Sequence, residues 1–188
     1  MSLLFNPKPK ASKQEFSLDH FTTGQNELIS RFGREEIKGM LTGIKPNQQL
    51  HFIARMINLH DLLAELIKLT GPAHMKLITY SVTEFPLRIL AQLREKQIIT
   101  GLDMVIDFTV SRTPPLKQFS EELADRIRFM DVHSKIMLLS NGEWKLTVLT
   151  SANMTRNNRW ENGIIFAAAD IFSLYDNWFE KLISQADG

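Results

Sequence analysis

Residues 131–140 (DVHSKIMLLS) alternate with a period of two, placing Val132, Ser134, Ile136 and Leu138 on one side of an extended strand and His133, Lys135, Met137 and Leu139 on the other. Asn141-Gly142 follows, a dipeptide that tolerates the positive φ angles of a tight hairpin turn, and residues 144–150 (WKLTVLT) read as the returning strand. With Asn141 and Gly142 as the two central turn residues, His133 falls opposite Thr150 and Lys135 opposite Val148. Ser151 and Asn153 then emerge just past the returning strand, level with His133.

Upstream the pattern alternates between strand and helix. Residues 50–55 (LHFIAR) predict a short strand; Asn58 is a fitting N-cap for a helix over 59–69, which Gly71-Pro72 stops. Strand and helix then alternate up to the hairpin, with a helix expected over 119–129 that leads directly to the His133 strand. An amphipathic helix over 171–184 then carries Ile171, Leu174, Tyr175, Trp178, Phe179 and Leu182 as the stripe that docks on the sheet. Such alternation implies an α/β domain, a mixed or parallel sheet with helices on both faces.

The N-terminal part is different. Residues 1–15, where Pro7 and Pro9 alternate with Lys8 and Lys10, carry no apolar period and read as a flexible basic tail. Over 22–43, Leu28, Ile29, Phe32, Ile37, Met40 and Leu41 recur mostly at helical steps broken by Gly33, predicting two short helices. The organisation expected is a tail and helical extension over 1–44, serving as an accessory or dimerising arm, and one domain over 45–188.

Composition narrows the chemistry. With no cysteine among 188 residues, disulfides, cysteine zinc sites and a thiol nucleophile are all excluded. The apolar run Leu3-Leu4-Phe5 is too short for a signal-peptide core, and no stretch approaches the ~20 apolar residues of a membrane span, so a cytoplasmic protein is expected. A net charge of +1 does not announce a nucleic-acid binder. Local charge points further: Arg112, Lys117, Arg126, Arg128, Arg156 and Arg159 flank the His133 region, partly offset by Glu121, Glu122 and Asp125. They read either as a solvated mixed surface or as a phosphate-tracking rim, with Arg156, Arg159, Arg112 and Lys117 as the substrate-binding candidates.

A histidine, a lysine and an asparagine converging at one strand end supply a nucleophile or proton carrier, a fixed cation and an amide donor, a set suited to attack on a phosphodiester. The rival His74-Met75-Lys76 has no asparagine at the corresponding distance, and it stands at the beginning of its strand rather than its carboxyl end. His20, His51 and His60 lack metal-ligand spacing, and Asp103 and Asp107 poorly support a two-metal carboxylate site. No glycine-rich phosphate loop is present, and neither cofactor nor metal is indicated.

The run HSKIMLLSNGEWKLTVLTSANMTRNNRWENGII resembles the catalytic motif of the phospholipase D superfamily, in which His-x-Lys is followed by Asp, then Gly-Ser-x-Asn and a downstream Glu. His133, Lys135, Ser151, Asn153 and Glu161 fall on its functional positions, while Ser140 replaces the Asp and Thr150 the Gly. The resemblance extends upstream, where 76–83 (KLITYSVT) looks like the family's strand ending in Tyr-Ser-x-Thr, 84–96 like the helix it leads into and 102–110 like the next parallel strand, and downstream, where 164–167 looks like the strand after the Glu; it covers roughly residues 48–184 and is to the short, single-motif nuclease type. It implies metal-independent phosphodiester hydrolysis of DNA or RNA through a phosphohistidine. The reaction needs two histidines and the chain has one matching motif, so the resemblance also implies a homodimer with one composite site on its dyad. Two alternatives remain open: a nucleic-acid-binding relative that has lost activity along with the Asp, and, less favoured for want of a basic amphipathic helix, a lipid phosphodiesterase.

Overall fold

The computed structural model describes residues 41, 43–55, 57–156 and 158–185. The tail and all but the end of the helical extension expected over 1–44 lie outside the described residues. Leu41 and Ile44, 3% and 8% exposed, close the extension onto the main core.

Seven strands form one mixed sheet in the order β1-β7-β6-β5-β2-β3-β4. In chain order they are β1 (Gln49–Arg55), β2 (Ala73–Thr79), β3 (Ile99–Asp107), β4 (Arg126–Met130), β5 (Ile136–Ser140), β6 (Lys145–Thr150) and β7 (Trp160–Phe166). The helices are α1 (Leu59–Thr70), α2 (Glu84–Glu95), the single turn α3 (Phe108–Ser111), α4 (Pro114–Leu123) and α5 (Ala169–Ser184). β2, β3 and β4 run parallel; the other neighbours are antiparallel.

The periodicity explains the layers. Met75 and Leu77, Met137 and Leu139, and Leu146 and Val148 point to one face, where Leu59, Leu62, Leu63 and Leu66 of α1 and Leu87 and Leu90 of α2 bury them. Ile78, Val105, Ile136 and Leu138 point to the other face and meet Phe172 and Phe179 of α5. Helices therefore cover both faces. Gly71, at φ 70°, ends α1 by donating its N–H to Ile67 O, a conformation costly for any residue with a Cβ.

Four expectations are corrected. The helix expected over 119–129 ends at Leu123, and Arg126–Met130 is instead the edge strand β4 beside β3. Asp125 sets that break by accepting from Leu102 N at 2.7 Å and gripping Arg94 through both oxygens. The regular ladder of the His133 strand begins only at Ile136.

The hairpin is not a two-residue turn: Ser140 pairs with Lys145, leaving the four-residue loop 141–144. Asn141 Oδ1 accepts from the backbone N–H of Glu143 and Trp144, and its Nδ2 donates to Thr70 O and Pro72 O, which holds the wider loop. Val148 consequently faces Met137 rather than Lys135. That two-residue shift preserves the side on which each residue points.

The stripe of α5 is also rotated. Leu174 is 63% exposed and Trp178 36%, whereas Phe172 and Phe179 are buried. Lys76, Asp103 and Arg126 stand side by side on β2, β3 and β4, and they draw Asp176 and Glu180 of α5 inward. Polar pairing, rather than maximal apolar burial, sets the helix rotation.

Candidate phosphodiester site

Because β2 and β3 lie between β4 and β5, residues 131–135 must cross the carboxyl ends of those two strands. Asp107, the last residue of β3, directs the crossing: its Oδ2 accepts from Val132 N at 3.2 Å, and its Oδ1 takes the N–H and hydroxyl of Thr109. Burial works to raise the Asp107 pKa. The Thr109 and Val132 hydrogen bonds, helped by His133, outweigh it and hold the carboxylate below its ordinary value. Asp107 thus delivers the chain to His133, a role that sequence spacing could not reveal because it depends on the order of strands.

His133 and Lys135 both sit in this crossing. Lys135 Nζ donates to His133 O at 2.6 Å and lies 3.2 Å from its Nδ1. Tyr80, the first residue after β2, holds its ring 4.6 Å from the imidazole and beneath the Lys135 ammonium at 5.2 Å. His133 is exposed and Lys135 is only 8% exposed. Burial lowers the Lys135 pKa from its ordinary value, and the Glu161 carboxylate works against that shift.

Glu161, on β7, is buried and accepts a hydrogen bond from Ser151 Oγ, which in turn accepts from Asn162 N at 3.0 Å. Thr150 N donates to Lys135 O at 3.1 Å, so the end of β6 joins Ser151 and Glu161 to the lysine. Thr150, standing where the resembled pattern has Gly, donates its hydroxyl to Asn162 O at 2.8 Å and accepts from Ala152 N. Beyond Ser151 the loop is pinned by Leu59 N on Asn153 O and by Thr83 N on Met154 O. Asn153 makes no side-chain hydrogen bond to His133 or Lys135; its Oδ1 is buried without a partner.

Ser140 lies at the opposite end of β5, paired with His74 and Lys145. At a rise of about 3.3 Å per residue it is ~13 Å from Ile136, so an Asp in its place would not reach His133 directly. His74 and Lys76 are occupied elsewhere: His74 Nε2 is 3.2 Å from Asp103, and Lys76 pairs with Asp176 and Glu180 beneath α5.

The six flanking cations divide. Arg126 binds Asp103 and Glu180, and Arg128 donates to Leu182 O and Gln185 O, so neither joins the rim. Lys117 pairs with Glu121 on its own helix. Arg159 is exposed beside β7. Arg156 stacks over Phe85 with 3.7 Å from guanidinium carbon to ring centre, and Arg112 over Phe108 at 4.7 Å. The rings under these arginines were not singled out by sequence reasoning, whereas Tyr80 stands in the Tyr-Ser-x-Thr segment that the resemblance covers. Among the described residues no group of three His, Asp or Glu side chains is gathered to hold a metal ion.

No protein-family model and no curated protein matches the sequence. Similarity appears in solved structures. Nuc from Salmonella typhimurium, a phospholipase D family member, aligns with 71% of this chain and 93% of its own at a TM-score of 0.53 and 12% identity. Polyphosphate kinase from Porphyromonas gingivalis aligns with 73% of this chain but 26% of its own, at a TM-score of 0.51 and 15% identity. The first of these spans nearly the whole neighbour, and both match the seven-stranded mixed sheet with helices on its two faces. The chain therefore has a phospholipase D-like fold.

Proposed function

We propose that the protein is a metal-independent phosphodiesterase acting on nucleic acid through a phosphohistidine. The observation carrying this reading is the exposed His133 imidazole held against the buried Lys135 ammonium, with Ser151 and Glu161 joined to the same strand end. In this reaction an imidazole nitrogen of His133 attacks phosphorus, Lys135 balances charge on a non-bridging oxygen, and a second imidazole gives its proton to the leaving alkoxide. That second imidazole then takes a proton from water, which displaces the histidine from phosphorus and releases the product. The unpartnered amide position of Asn153 supports the reading, since a carboxamide can turn to offer its N–H to a phosphoryl oxygen.

The second imidazole is His133 of the partner subunit, in a homodimer whose dyad passes the site. Support comes from the sheet face over β1, β7 and β6, where His51, Ile53, Leu149 and Ile164 line a groove that reaches Ser151. Ile53 is 44% exposed there.

Labelled DNA and RNA incubated in excess chelator with wild type and His133→Ala test the reaction: cleavage by wild type alone is expected, and a strict magnesium requirement would refute it. Binding without cleavage would favour an inactive nucleic-acid-binding protein. Co-refolding wild type with an equal amount of His133→Ala tests the dyad, with roughly one quarter of the activity expected rather than one half.

A further inference from the structure

Around the mouth of the site, three aromatic rings that would ordinarily be buried stand open: Tyr80 at 36% exposure, Phe85 at 42% and Phe108 at 38%. Tyr80 and Phe108 directly follow the carboxyl ends of β2 and β3, the edge crossed by His133 and Lys135, and Phe85 lies six residues beyond β2. Phe108 directly follows Asp107, whose carboxylate holds the residue before His133. Phe85 is the second residue of α2, packed edge-on against His60 and close to Thr83, whose N–H donates to Met154 O in the 151–156 loop. Tyr80, which precedes both in the chain, packs its ring against His133 itself.

Each ring also carries a cation: Arg156 on Phe85, Arg112 on Phe108 and Lys135 by Tyr80. A guanidinium stacked on a ring extends the flat surface and adds a positive edge. This arrangement suits an unpaired base whose phosphate lies alongside. It offers little to a duplex, where the bases stack on one another and a protein meets mainly phosphates. Duplex binding would call for a broad basic face, yet the chain carries a net charge of only +1, and Arg126, Arg128 and Lys117 are engaged away from the mouth.

We propose that the mouth takes single-stranded nucleic acid, stacking bases on the Phe85–Arg156 and Phe108–Arg112 platforms on either side of Tyr80 and His133. The inference rests on the proposed function only for the kind of polymer that enters the site.

The test uses the full chain carrying His133→Ala, so that binding is read without turnover, and fluorescence anisotropy of a labelled 12-nucleotide thymidine strand and of a duplex of equal length. Preference for the single strand is expected, with affinity about tenfold lower for each of Phe85→Leu and Phe108→Leu. Arg156→Lys keeps the charge but loses the plane, and it should also weaken binding. Should the leucine variants fold poorly, the lysine variant still decides. Equal affinity for duplex, or affinities unmoved by the three substitutions, would overturn the inference. Hydrolysis of methyl 4-nitrophenyl phosphate by wild type is measured alongside: ring-dependent binding without hydrolysis overturns the proposed reaction alone, and hydrolysis with ring-independent binding overturns this inference alone.

Discussion

Lys135 Nζ is hydrogen-bonded to the backbone oxygen of His133, two residues earlier, at 2.6 Å. The lysine therefore folds back on the loop that presents the histidine, and its ammonium stays beside the ring. The cation and the imidazole are delivered by one short segment, so Asp107 at its start and the β5 ladder at its end position both.

Under the proposed reaction, Lys135→Met should lower turnover about 10²–10³-fold, the usual loss for one electrostatic partner of a developing charge. Stability should behave differently. The folded-state pKa of Lys135 is lowered by burial, so the charged form is less favourable in the folded chain than in the unfolded one. Removing the charge offsets the lost hydrogen bond, and the melting temperature at neutral pH is expected to stay level or rise. A large fall in thermal melting would mark Lys135 as structural.

Glu161 opposes the lowering of the Lys135 pKa. In Glu161→Gln burial acts without that opposition, and Lys135 releases its proton at lower pH. The pH profile of Lys135 modification by an acylating reagent, read by mass spectrometry, should therefore move down in the variant. An unmoved profile would show that Glu161 does not act on Lys135.

Glu180 is held at a pKa of about 2, chiefly by hydrogen bonds from Arg126 and, against some desolvation, from Lys76. Its folded value lies below the ordinary 4.5, so its stabilising contribution is complete above pH 4.5 and is lost as pH falls toward 2. Thermal melts of wild type and Glu180→Gln should differ at pH 6 and converge across that window. A constant gap down to pH 2 would contradict the linkage.

Gly163 pairs with Phe52 across β7 and β1, and a Cβ there would meet Phe52 Cζ at 2.5 Å and Leu149 O at 2.7 Å. Phe52 is 1% exposed and cannot move aside freely. Gly163→Ala should cost about 1–3 kcal/mol in urea unfolding, as overpacking of a filled core does. Activity should fall with it, because Glu161 lies two residues away on the same strand. Unchanged unfolding would show that β7 has slack.

The local periods of the chain determined most of the architecture. Residues 136–140 and 145–150 alternate, and residues 59–69 recur at helical steps, because the face a residue presents follows from backbone geometry within a few neighbours. His133 and Lys135 could be paired from the sequence because they are only two residues apart, although the crossing that carries them lies outside the regular strand. Three features escaped that reading because each depends on partners distant in the chain. β4 is a strand because β3 offers it an edge and Asp125 ties to Leu102 and Arg94. The hairpin is wide because Asn141 reaches Thr70 and Pro72. The rotation of α5 follows ion pairs from Asp176 and Glu180 to Lys76 and Arg126. The gathering of Asp107 and Tyr80 about the His133 crossing was likewise decided only in the tertiary structure, since sheet order, which no local period encodes, brings the carboxyl ends of β2 and β3 beneath the chain that crosses them.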